Sequence, residues 1–162
     1  MTSPEPCVDI ALEGALLDEA RCEEDSLRAF GEALVRRLSA DDPTVQACLS
    51  ILLTDDAGIQ PLNARWRRKD SPTDVRSFPL RDGDLLGDVV ISVQTAVARV
   101  GEGTWTLADE LAFLLLHGVL HLLGHDHEAA DERAVMEAEE QRLWTALGRA
   151  GTLREPDPGQ AP

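Results

Sequence analysis

Thr106-Leu-Ala-Asp109-Glu-Leu-Ala-Phe-Leu-Leu-Leu-His117-Gly-Val-Leu-His121-Leu-Leu-Gly124-His125-Asp126-His127 is the most informative stretch of the chain. Thr106 with Asp109 three residues on has the form of a capping box and predicts a helix start. The segment that follows is apolar almost all round as far as Leu123, which predicts a helix buried in a core. Gly124 suits a left-handed turn that ends the helix. All four histidines of the 162-residue chain fall between His117 and His127. His117 and His121, four apart, project from one helical face. The reversal at Gly124 can bring a third ring back to them, and His127 is the best placed by spacing.

Two buried imidazoles without partners cost on the order of 1–3 kcal/mol each, and a shared metal ion removes that cost. Three neutral nitrogens with no thiolate nearby favour one Zn²⁺ per chain, with a fourth position open to water, as in catalytic zinc sites. The His-Glu-x-x-His motif of metallopeptidases places its general base directly after the first ligand. Here that position is Gly118. The cage is present without the base, which argues against ordinary peptide hydrolysis. Asp126 is a candidate base, or equally a carboxylate that orients a ligand or caps the loop.

Outward from this stretch, strand-like and helix-like patterns mix without strict alternation. Val8–Leu12 reads as a strand. Asp25 is placed to cap a helix reaching Leu38. Val45, Ala47, Leu49, Ile51 and Leu53 alternate as one face of a strand. Asp55 and Asp56 open a short helix bearing Ile59, Leu62 and Trp66, and Lys69–Asp74 reads as a loop. Val75–Phe78 and Asp88–Val93 read as strands around an Arg81–Asp84 turn. Gln94–Val100 and Glu128–Leu147 read as helices, the latter with Met136, Leu143 and Leu147 inside. The expected architecture is α+β: a single domain with a small mixed sheet packed by helices. Residues 1–150 form that domain, and the Gly- and Pro-rich 151–162 is a loose tail.

Thirty acidic side chains against fifteen basic ones give a net charge of −15. That charge repels polyanions at long range. Its distribution qualifies the inference. Six basic and two acidic residues between Arg65 and Arg81 make that segment +4 and leave −19 elsewhere. Guanidinium groups bind phosphate bidentately, and a zinc-bound water has its pKa lowered to about 7, so the pair suits phosphodiester cleavage. The N-terminus carries no secretory pattern. The longest apolar run, Leu111–Leu123, is shorter than the roughly 20 residues of a membrane span. Cys7, Cys22 and Cys48 form no Cys-x-x-Cys pair and read as thiols of a reducing cytosol.

Four stretches together resemble the YbeY family of bacterial rRNA-maturation endoribonucleases. They are His117–His127; Leu62-Asn-Ala-Arg-Trp-Arg67-Arg-Lys69-Asp70; Pro72-Thr-Asp-Val-Arg76-Ser-Phe-Pro79; and Gly87-Asp-Val-Val-Ile-Ser92. They occur in matching order across about residues 8–148. Arg76 stands where the family pattern has leucine. The resemblance implies a fold related to zinc metalloproteases, with the metal-binding helix in the C-terminal half. It implies that His117, His121 and His127 hold Zn²⁺ and that Arg67 is the functional arginine. Arg65, Arg68 and Lys69 would assist in binding substrate. The implied activity is single-strand-specific endoribonuclease cleavage in 16S rRNA 3′-end maturation and ribosome quality control. Its implied partners are single-stranded rRNA, the small ribosomal subunit and assembly factors, in the cytoplasm, with neither DNA nor membrane. Two other readings stay open from the residues alone: a metal-dependent hydrolase of another substrate, or a non-enzymatic ribosome-assembly factor with a structural zinc. The attacking group, water or the RNA 2′-hydroxyl, is also open.

Overall fold

A computed structural model describes residues 5–15, 17–67, 74–100, 104–126, 128–150 and 153, without the side chains of Leu17, 65–67 and 81–82. Four strands form one sheet: β1 (Cys7–Leu12), β2 (Cys48–Thr54), β3 (Val75–Asp82) and β4 (Leu85–Ser92). Their order is β1-β2-β4-β3. The first three in that order run parallel, and β3 is an antiparallel edge strand. Five helices complete the domain: α1 (Leu17–Asp41), α2 (Asp56–Arg67), α3 (Val93–Arg99), α4 (Leu107–Leu122) and α5 (Ala130–Ala146).

The alternation in β2 does what its period requires. Leu49, Ile51 and Leu53 are buried in the core with Val8 of β1 and Val89 and Ile91 of β4. α1 and α4 cover this face. α4 is buried on nearly every side, from Leu111 to Leu116 and at Val119, Leu120 and Leu122. An all-apolar helix is stable only when such a core surrounds it. Its ends are as expected: Thr106 and Asp109 form a full capping box. Past Leu122, the N–H of Gly124 donates to His121 O and that of His125 to Leu120 O. These two bonds, with Gly124 at φ +99°, are the Schellman end of a helix.

Several expected boundaries move. α1 begins at Leu17, eight residues before Asp25, which is not a cap. Its carboxylate lies in solvent beside Arg28, 3.4 Å away, while Ala20 and Leu27 extend the buried stripe. The good helix formers before Asp25 carry the helix back because that stripe has a core to meet. β2 starts at Cys48, since Val45 is held in a turn by its N–H to Asp42 O. β3 and β4 are longer than the sequence suggests and meet at a turn with Gly83 at φ +61°. Val93 opens α3, with Ser92 as its cap. Of the 151–162 tail only Leu153 is described. It packs on the core, and its N–H donates to Gln141.

Candidate metal centre

His117 and His121 project from the last turns of α4, and their Nε2 atoms approach to 3.2 Å. Two ring nitrogens this close need a proton or a cation between them. On a tetrahedral ion with Zn–N bonds of 2.0–2.1 Å, two nitrogens lie about 3.3 Å apart. The observed spacing therefore fits a shared metal ion.

Glu140 of α5 completes this arrangement. Its Oε1 lies 2.7 Å from His117 Nδ1, and its side chain is 4% exposed. A carboxylate there accepts a hydrogen bond from Nδ1–H. It fixes the tautomer so that Nε2 presents its lone pair on the His121 side, the usual outer partner of a metal-binding histidine. The sequence reading missed Glu140, although the signal was present. It lies at helical spacing within the Met136, Leu143 and Trp144 stripe, all buried, and a carboxylate on an inner stripe needs a partner.

Among the described residues, no group of three or more His, Cys, Asp or Glu side chains is gathered as a metal cage. The structure brings together two of the three expected ligands, and His127 lies outside the described residues. Asp126 is described. It borders a shallow surface hollow with Gly124, His125, Asp131, Glu132 and Val135.

The missing glutamate has a physical reason. α4 lies so close to the sheet at residue 118 that a Cβ there would meet Val89 Cγ1 at 2.8 Å and Ser77 Oγ at 3.0 Å. The Ser77 hydroxyl donates to Gly118 O at 2.7 Å, tying edge strand β3 to α4 between the two histidines. Glycine in mid-helix costs about 1 kcal/mol relative to alanine, but overpacking costs about 1–3 kcal/mol. Val89 is fully buried and β-branched, so it has little room to yield. The clash outweighs the propensity gain. Gly118→Ala is expected to lower the melting temperature by several degrees; a rise on thermal denaturation would show that the sheet gives way.

The basic residues come less fully into view. The backbone places Arg65 and Arg67 in the last turns of α2. Their side chains, together with Arg68 and Lys69, lie outside what is described. Both flanks of the basic segment are anchored. Before it, buried Asn63 accepts from Arg76 Nε at 2.9 Å and Nη2 at 2.6 Å. After it, Asp74 pairs with Arg99 at 2.5 Å. Arg76 therefore leaves the strand register intact. Val75 pairs with Ile91 and turns inward, while Arg76 pairs with Val90 and turns outward to α2.

A capped helix that converges two histidines beneath a mixed sheet presents nitrogen donors of the kind that metal-dependent hydrolases use. The family model for Endoribonuclease YbeY matches residues 17–148. The Endoribonuclease YbeY of Carboxydothermus hydrogenoformans is 41% identical over 136 residues, covering 82% of this chain and 94% of that protein. That of Allorhizobium ampelinum is 38% identical over 165 residues, covering 96% of each. A solution structure of the Thermotoga maritima protein TM1509 superposes with a TM-score of 0.53 at 25% identity, covering 94% of this chain and 98% of that one. The chain belongs to the Endoribonuclease YbeY family. That bears out the resemblance, the α+β fold and the class of RNA-cleaving hydrolase. No helix among the described residues is long and apolar enough to cross a membrane.

Proposed function

We propose that this chain is a zinc-dependent, single-strand-specific endoribonuclease of 16S rRNA 3′-end maturation and ribosome quality control. The observation that carries this reading is the 3.2 Å approach of the His117 and His121 Nε2 atoms with Glu140 behind His117. His117, His121 and His127 would hold one Zn²⁺, which when bound supplies a Lewis acid and an acidified water. Arg67 binds the scissile phosphate, and Arg65, Arg68 and Lys69 hold the neighbouring phosphates by charge. One catalytic domain over residues 1–150 and a tail over 151–162 agree with the extent of the family match. The small ribosomal subunit and its assembly factors are the expected partners, in the cytoplasm. The net charge of −15 opposes indiscriminate RNA binding, so substrate delivery by such partners fits the electrostatics.

The crowding at Gly118 disfavours the peptidase alternative, because no base fits there without displacing the sheet. The test is cleavage of single-stranded and duplex RNA by the purified zinc-loaded protein. Wild type is expected to cut single strands only. Arg67→Ala should lose about tenfold through one charge-assisted phosphate contact. Equal cutting by the variant would remove Arg67 from the reaction. Inert RNA with turnover of another phosphodiester would redirect the assignment.

A further inference from the structure

Cys7 and Cys48 lie in separate parts of the sequence but are register partners on the adjacent parallel strands β1 and β2. Neighbouring strands lie about 4.8 Å apart, within the roughly 4.4–6.8 Å Cα separation that a disulfide spans. Val8 and Leu49, the next residues along, are buried in the core, so both cysteines turn to the opposite face of the sheet. Cys7 is exposed and Cys48 half-buried. Each opens its strand, and the pairing of β2 with β4 is irregular between Cys48 and Leu49.

We propose that Cys7 and Cys48 form a reversible redox pair that closes to an intramolecular disulfide on reaction with a low-molecular-weight disulfide such as oxidised glutathione. Exposed Cys7 attacks first. Its thiolate displaces one glutathione thiolate and forms a mixed disulfide. The Cys48 thiolate then attacks Cys7 Sγ and expels the second glutathione. The protein loses two protons and two electrons, and one glutathione disulfide becomes two glutathiones. The order of steps agrees with the surroundings of Cys48. Burial, then the neighbouring Cys7 thiol, then Asp84 and Asp9 push the Cys48 thiol up, so ring closure quickens as pH rises. The cross-link joins the starts of β1 and β2 and encloses α1. It raises stability by limiting the unfolded chain, and the exposure of Cys7 leaves the bond open to attack by an external thiol.

The test treats the full-length native protein with oxidised glutathione, then measures intact mass and free thiols. Cys22 is also exposed and takes up glutathione on its own account, so the pair is read in Cys22→Ser. That protein should lose two hydrogens and both thiols, melt several degrees higher, and recover fully with dithiothreitol. In the same Cys22→Ser background, Cys7→Ser and Cys48→Ser should take up glutathione without closing. A Cys22→Ser protein that stops at the glutathione adduct, links between chains, or stays unreacted overturns the proposal.

Discussion

His117→Ala and His121→Ala are each expected to lose the zinc proposed to bind there and to fall in RNA cleavage by about 10³-fold or more. The magnitude follows from the several kcal/mol of transition-state charge stabilisation that a catalytic metal supplies. Each substitution removes one of the two Nε2 atoms that converge at 3.2 Å. His117→Ala also strands the buried Glu140 carboxylate, whose Oε1 sits 2.7 Å from His117 Nδ1. A buried carboxylate left unpaired is costly, so His117→Ala should also melt lower than His121→Ala. Metal analysis of the purified variants, RNA cleavage at matched zinc and a melting curve separate these effects. Full zinc content with full activity in either variant would disprove the site. Zinc lost and unfolding on chelation, with no wild-type cleavage, would instead favour a structural zinc in an assembly factor.

Glu140→Gln is expected to weaken zinc binding at the proposed site by about 10–100-fold, the usual cost of losing the outer partner of a metal-binding histidine. Glutamine keeps the volume and an acceptor oxygen, so the metal-free protein should melt as wild type does. What it loses is the charged acceptor 2.7 Å from His117 Nδ1 that holds the ring's tautomer and orientation. Competition with a chelator measures the affinity directly, without relying on activity. Unchanged affinity would mean that Glu140 serves only the packing of α5 against α4.

Local chemistry made much of this legible. The Thr106–Asp109 capping box, the apolar run and Gly124 fix where α4 starts, how deeply it is buried and how it ends, and all three hold. The i, i+4 spacing alone places His117 and His121 on one face. Boundaries away from that helix were less legible. Asp25 looks like a cap because its carboxylate favours helix starts, but the residues before it help form a stripe that meets the core, and tertiary burial outweighs the cap preference.

The sequence by itself determined the family, the mixed α+β class and the pairing of two histidines on one helix, because these depend on residue type and short-range periodicity. Only the tertiary structure decided that Glu140, 23 positions beyond His117, stands behind its ring. It also decided that Ser77 and Val89 leave residue 118 no side chain, and that Cys7 faces Cys48 across two strands. These contacts join residues far apart in the chain, and their geometry is set by how helices and strands pack, which no local pattern encodes.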